Sequence, residues 1–234
     1  MTLKAENLSK RYMRKTGQSN HFFAVQNVSI ELRPGEVTVL MGRSGSGKTT
    51  LLHMLLGLLT PTEGKVLLDG QDVYELEDGA LSRLRNQALG VVPQGRSAVD
   101  TLTVLENILL PGAMYGGAAD AEAARQWLEA LDIAPLADAR PAELSGGELR
   151  RMAIARALTQ NPGVILADEP TGDLDDENTA RVLNVLLEAA KEQDKAVFIV
   201  SHDDAATRYA DHLYRMDGGL CHELIISNVD TLKP

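Results

Sequence analysis

Apolar and polar positions along the chain follow two periods. Alternating or unbroken apolar runs predict strands, and apolar positions three and four residues apart predict helices. Leu3 to Ser9 alternates weakly and is a first strand. Val28, Ile30 and Leu32 alternate within Val25 to Leu32, which predicts a half-buried strand. Pro34-Gly35 turns the chain into Val37 to Met41, an apolar run that reads as a buried strand, and Thr49 to Leu58 behind it is helix-forming. Thr60 to Gly64 ends that helix, Val66 to Leu68 is a short strand, and Asp69-Gly70 is a hairpin signal. Asp78 to Asn86 looks helical and Leu89 to Pro93 is another buried strand. Thr103 to Leu110 and Ala119 to Leu131 are helical in period, with no convincing strand between them. Helices over Gly146 to Thr159 and Asp176 to Lys191 then alternate with strands over Val164 to Ala167 and Ala196 to Val200. A short helix (Asp203 to Tyr209), a strand (Leu213 to Met216), a turn at Asp217-Gly218-Gly219 and a last strand (Leu220 to Ile226) close the pattern.

Strands alternating with helices imply an α/β fold with a mainly parallel sheet, and the N-terminal hairpins imply added antiparallel strands. The strand-free stretch is expected to be an α-helical subdomain inserted in the core. One domain, 1–234, thus has a core of 1–94 and 145–226, a helical part over 95–144 and a tail over 227–234. Arg11 to His21 is polar and basic, a surface hairpin or loop.

The 234 residues can hold one substantial α/β core. A formal net charge of -10 argues against a nucleic-acid partner and against electrostatic docking on anionic lipid. Cys221 is the single cysteine, has no metal-ligand spacing around it, and suits a reducing compartment. The greasiest run, Leu51 to Leu59, is too short to cross a membrane and carries His53. A membrane role would need another chain to do the crossing.

The sharpest chemistry is Gly42-Arg43-Ser44-Gly45-Ser46-Gly47-Lys48-Thr49, which fits the phosphate-binding pattern G-x-x-x-x-G-K-[ST]. It lies between a predicted strand and a predicted helix, the context the pattern requires. Glycines let backbone N–H groups crowd around phosphate oxygens, and the helix turns its positive end towards them. Candidate nucleotide contacts are Gly42, Ser44, Gly45, Ser46, Gly47, Lys48, Thr49 and Thr50. Lys48 supplies a point charge for the β- and γ-phosphates, and the Thr49 hydroxyl can ligate Mg²⁺. Further along, Ser145-Gly146-Gly147-Glu148 reads as a helix start with a capping box, Ser145 at the N-cap and Glu148 at N3. Its two glycines cost helix propensity, which close approach of an anionic ligand would explain. The strand Val164 to Ala167 runs into Asp168 and Glu169. Asp168 can reach a Mg²⁺ shell and Glu169 can deprotonate an attacking water. His202 ends the next strand, where a parallel sheet places its ligands, and a γ-phosphate contact is favoured there.

These motifs, in this order, resemble the ATP-binding cassette (ABC) ATPases from about Leu3 to Ile226. The matching features are Gly42 to Thr49 (Walker A), Gln94 (Q-loop), Leu144 to Glu148 (signature), Asp168-Glu169 (Walker B and catalytic base), Leu174-Asp175 (D-loop) and His202 (H-loop). Tyr12 stands where the family places an adenine-stacking aromatic, with Phe22 and Phe23 as alternatives. Ala80 to Arg85, Gly90 to Gln94, Thr103 to Ile108 and Leu166 to Gly172 resemble the lipoprotein-releasing and macrolide-export ATPases. That subgroup includes the cell-division ABC ATPase, in which closure signals without solute transport. Two departures stand out. Glu148 replaces the usual glutamine and must turn back onto its helix to avoid repelling a phosphate. The stretch Gly95 to Asp100 is more polar than is usual.

The resemblance implies a P-loop NTPase that hydrolyses ATP with Mg²⁺, cytoplasmic and peripheral on the inner face of the membrane, and serving a permease made as a separate chain. It implies two copies head to tail, with each ATP between one phosphate loop and the partner copy's Ser145, Gly146 and Gly147, next to Asp175. Glu169 and His202 would be catalytic, and Thr49, Gln94 and Asp168 would hold the metal.

Overall fold

The computed structural model of the chain describes residues 1–13, 21–114 and 120–225. In chain order the elements are β1 (Leu3–Met13), β2 (His21–Leu32), β3 (Val37–Gly42), α1 (Lys48–Leu55), β4 (Glu63–Leu68), β5 (Gln71–Asp72), α2 (Asp78–Ala88) and β6 (Leu89–Val92). There follow α3 (Val104–Met114), α4 (Ala121–Ala130), α5 (Gly146–Thr159), β7 (Val164–Asp168), α6 (Asp176–Lys191), β8 (Ala196–Ser201), β9 (His212–Asp217) and β10 (Leu220–Leu224). Short 3-10 turns at Val73–Glu75, Ala134–Leu136, Pro141–Glu143 and Asp204–Tyr209 link them.

The strands form two sheets. One is antiparallel, in the order β2-β1-β4-β5. The other runs β10-β9-β3-β8-β7-β6, parallel except for β10, which returns antiparallel along β9. The central strands are covered on both faces, which is why they read as unbroken apolar runs. Val37, Val39 and Met41 of β3, Ile165 and Ala167 of β7, and Val197 and Ile199 of β8 pack with α3 to α6. Leu40, Leu166, Phe198 and Val200 face the other way, onto Leu51, Leu52 and Leu55 of α1 and the apolar face of the antiparallel sheet. Helix α1 therefore sits between the two sheets. Gly90 lets α5 lie tight against β6, since a Cβ there would come within 2.6 Å of the Ala157 carbonyl oxygen.

Between β6 and α5 the described chain is helical apart from loops and 3-10 turns, and α3 and α4 pack on α5. Asn107, fully buried in α3, fixes the incoming loop by accepting from the Val99 N–H at 2.7 Å and donating to the carbonyls of Val99, Leu102 and Thr103.

Some boundaries differ from expectation. Helix α1 stops at Leu55 rather than Leu58, because Gly57 turns left-handed at φ 65 while Leu56 stays buried. β1 and β2 reach into the polar segment Arg11 to His21, pairing Tyr12 with Phe22 and Met13 with His21. This part of the ribbon is exposed on both faces, so it shows no apolar alternation. The middle of that segment (14–20) lies outside the described residues, as do Ala119, Ile226 and the tail 227–234. Among the described residues, no helix is long and apolar enough to cross a membrane.

Candidate functional site

Strand β3 delivers Gly42 to the C-terminal edge of the parallel sheet, and α1 begins six residues later. Gly47 caps α1 in a left-handed conformation, φ 111, with no side-chain cap and no acid in the first turn. In contrast, Asp120, Ser145 and Asp175 cap α4, α5 and α6 with their side chains. The first N–H groups of a helix have no partner within it and carry partial positive charge. At α1 those donors are left for an anion. Only glycine fits at 47, because a Cβ there would lie 2.0 Å from the Ala24 carbonyl oxygen. Lys48, buried, folds its ammonium onto the loop, donating to the carbonyls of Gly42 (2.6 Å) and Arg43 (3.2 Å). The buried Ser46 hydroxyl finds no hydrogen-bond partner among the described residues. An orphaned polar atom at this place fits a polar ligand.

Strands β3, β8 and β7 are neighbours, so the residues at their C-terminal ends converge. Asp168 ends β7 and accepts a hydrogen bond from the Thr49 hydroxyl at 3.1 Å. Burial pushes its carboxyl above the ordinary aspartate value; the Thr49 bond opposes this and the neighbouring Glu169 charge adds to it. Glu169 takes the left-handed region at φ 52, a conformation costing a non-glycine residue about 1–2 kcal/mol. Its backbone is held there by N–H donation to Val200 O (2.8 Å) and acceptance from the Gly172 N–H (3.1 Å). The result aims Glu169 Oε2 at the end of β8. It lies 2.8 Å from His202 Nδ1, and it accepts from the His202 N–H (3.3 Å) and the Ser201 hydroxyl (3.5 Å). A carboxylate oxygen needs a donor, so Nδ1 carries the ring hydrogen in this arrangement.

An open cleft of about 950 Å³ brings these groups together. Of the residues expected from sequence it is lined by Tyr12, Ser44 to Thr50, Gln94, Asp168, Glu169 and His202. Gly42 lies beneath, its carbonyl taken by Lys48. Phe22 and Phe23, the alternatives for adenine, also line it, and Tyr12 and Phe22 stack with ring centroids 5.7 Å apart. Sequence reasoning missed Ala24, Gly218 and Gly219. Gly219 donates its N–H to Ser46 O and accepts from the Gln26 N–H, so the β9–β10 turn backs the phosphate loop. The only sequence signal was the turn itself.

Ser145, Gly146, Gly147 and Asp175 do not line the cleft. Ser145 and Glu148 form the expected capping box: Glu148 Oε2 accepts from Ser145 N and Oγ, each at 2.7 Å, and the Glu148 N–H donates to Ser145 Oγ. Those bonds hold the Glu148 carboxyl below its usual range. Asp175 accepts from Asn178 and caps α6.

The donor set at the cleft floor suits a magnesium ion. It has one buried carboxylate, a threonine hydroxyl and, on the wall, the Gln94 amide. Mg²⁺ takes few protein carboxylates and keeps its waters and substrate phosphates. A cation beside Asp168 would reverse the burial penalty on its charge.

A phosphate loop on an uncapped helix, two acids at a strand end and a histidine opposite define a P-loop ATPase of the cassette type. The chain belongs to the ABC transporter family: the family's model, described as ABC transporter, matches residues 25–172. It is similar to the dimeric structure of MJ0796, a bacterial ABC transporter cassette, at 34% identity, covering 95% of this chain and 99% of that one with a TM-score of 0.86. The same cassette in a post-hydrolysis state bound to ADP and Pi matches equally well. The ADP conformation of the ABC transporter cassette MJ1267 matches at 31% identity, covering 95% of this chain and 90% of that one with a TM-score of 0.74.

Proposed function

We propose that this ATPase drives a membrane permease made as a separate chain, by closing and reopening a dimer of two copies around ATP. The supporting observation is that the cleft holds only part of the expected nucleotide contacts. Ser145, Gly146 and Gly147 stand at the start of α5, outside it. A second copy facing head to tail would supply them, and the similar cassette MJ0796 is described as dimeric in both of its structures.

In this reading the N–H groups of the loop and of α1 hold the β- and γ-phosphates, and Lys48 leaves its own carbonyls to join them. Glu169 accepts the proton of the attacking water. Its Oε2 is anchored on His202 and Ser201, which fixes the carboxylate while the rest of it faces the cleft. His202 steadies the γ-phosphate end. Thr49, Asp168 and Gln94 would hold Mg²⁺, which neutralises charge developing on the phosphates. Tyr12 stacks on the adenine. Loss of the γ-phosphate removes the shared contacts and the dimer reopens. A short helix of the permease docks beside Gln94 and carries the movement across. The subgroup features in 80–85, 90–94 and 103–108 favour an exporter of the lipoprotein-releasing or macrolide-export kind, peripheral on the inner face of the membrane.

The test uses Glu169→Gln. With ATP and Mg²⁺ it is expected to dimerise on a sizing column, turn over about 10²–10⁴-fold more slowly, and bring a membrane-spanning chain down from solubilised membranes. Normal hydrolysis by that variant would remove Glu169 from the role of base. Recovery of soluble partners alone would end the permease reading.

A further inference from the structure

Ser145 and Glu148 hold each other through one carboxylate oxygen. Glu148 Oε2 accepts from both Ser145 donors, the N–H and the hydroxyl, each at 2.7 Å, and the Glu148 N–H returns a bond to Ser145 Oγ at 3.3 Å. A hydroxyl has one hydrogen to give, and here it is spent. An ionised phosphate can only accept, so it finds no donor on Ser145 and meets a like charge beside it. The Gly146 and Gly147 N–H groups, which have no partner within α5, are what remain for it. The start of α5 is thus held back from an anion by its own cap.

One helical turn further on, Arg151 is in the opposite condition. It is 8% exposed, its Nε finds no hydrogen-bond partner, and no carboxylate lies within ion-pair distance of it among the described residues. Its neighbours on α5 are engaged: Arg150 donates to the Pro93 carbonyl at 2.9 Å, and Arg156 to the Ser97 carbonyl at 2.8 Å. Arg151 instead reaches back to the first turn, where a Cβ on Gly147 would stand 3.8 Å from its Nη1. The Ser145 bonds do most to hold the Glu148 carboxyl below its usual range, the Asn178 bonds do most at Asp175, and the Arg151 charge adds to both. A buried guanidinium kept from a counter-ion is costly, in a chain where acids outnumber bases 33 to 23. Glu148 and Arg151 are three residues apart on one helix, a spacing at which an acid and a base meet.

Resting on the two-copy reading above, we propose that Glu148 changes partner when the dimer closes: it yields the Ser145 hydroxyl to the γ-phosphate of the nucleotide bound in the facing copy and seats its carboxylate on Arg151. In the open chain the carboxylate competes with the phosphate for that hydroxyl and opposes closure. In the closed dimer the ion pair within α5 offsets the charge that would repel the phosphate, and gives Arg151 its counter-ion. Glu148 and Arg151 are then positioning residues, which set how tightly ATP closes the dimer. A glutamine at 148 would not act this way, because its amide can donate to Ser145 Oγ and leave the hydroxyl hydrogen for the phosphate.

The full chain carrying Glu169→Gln is run in sedimentation velocity with saturating ATP and Mg²⁺, and the dimer dissociation constant is read. Adding Glu148→Gln should tighten the dimer by about tenfold or more, the scale of one hydrogen bond to a charged group. Adding Arg151→Met, which keeps the bulk, should instead weaken it by about tenfold, and Arg151→Lys, which keeps the charge, should restore most of the loss. With Glu148→Gln already present there is no carboxylate to seat, so Arg151→Met should then change the constant by less than about twofold. A dimer unmoved or weakened by Glu148→Gln overturns the inference. So does a loss from Arg151→Met that is equal in both backgrounds, or one that Arg151→Lys fails to restore. Each of these leaves the two-copy reading standing, because the dimer still forms. No ATP-dependent dimer from any of the chains overturns both.

Discussion

Replacing Gly47 by Ala tests the argument that the phosphate loop is shaped by close backbone approach. At φ 111 the new residue would sit outside the left-handed pocket open to L-residues, and its Cβ would lie 2.0 Å from Ala24 O and 2.9 Å from Met216 Cε. Real Cβ contacts begin near 3.0 Å, so the loop or the end of β2 must move by about 1 Å (3.0 − 2.0). Backbone strain contributes about 1–3 kcal/mol and overpacking about 1–3 kcal/mol more. Gly45→Ala is the matched control, because φ is 77 there but nothing lies within 4 Å of the Cβ. It carries a milder backbone strain, at the edge of the left-handed pocket, and no clash, so the clash alone sets the minimum difference between the two variants. At about 2–4 °C per kcal/mol for a chain of this size, Gly47→Ala should melt about 2–12 °C below Gly45→Ala. A 1 Å displacement of catalytic geometry costs about 10²-fold, so kcat/KM for ATP should fall by that order in Gly47→Ala. The assay is thermal unfolding of both proteins with parallel ATPase kinetics. Equal melting temperatures and equal kcat/KM would refute the close-approach argument.

Other outcomes follow from the same geometry. Tyr12→Ala should weaken ATP binding by about 1–3 kcal/mol, the scale of aromatic–base stacking; unchanged affinity in a nucleotide titration would pass the role to Phe22 or Phe23. Asp168 is pushed above its ordinary value by burial. The native state therefore binds more protons than the unfolded chain, and stability falls as pH rises from the ordinary aspartate value through the raised one. Asp168→Asn should flatten that slope in denaturant melts across the acid range, and an unchanged slope would mean the burial penalty is not felt. Glu148→Ala should cost about 1 kcal/mol through loss of the capping box, whereas Glu148→Gln keeps the box and should melt near the parent protein. Equal melting of the two variants would mean that the box contributes nothing.

Much of this was legible because it is local. The phosphate loop, the capping box at Ser145 and Glu148, and the buried central strands each depend on residues near one another in sequence. What escaped depends on distant partners. Gly218 and Gly219 back the loop only because β9 lies beside β3, and pairing across a sheet leaves no mark in a turn signal. The left-handed Glu169 is imposed by Val200 on another strand. The anchoring of Pro93 and Ser97 by Arg150 and Arg156 spans 57 and 59 residues. Near the N-terminus, β1 and β2 run past the core, so burial no longer writes alternation into their ends.

The uncapped start of α1 has a consequence for the life of the protein in the cell. Its N–H donors meet a phosphate only when the chain is folded, so a bound nucleotide adds to the stability of the fold. At a thousand times its dissociation constant, a nucleotide adds about 4 kcal/mol to stability, a large share of the roughly 5–15 kcal/mol of a typical domain. Resistance to proteolysis should therefore follow the ATP supply, and starvation would thin out the subunit through turnover before any change in its synthesis.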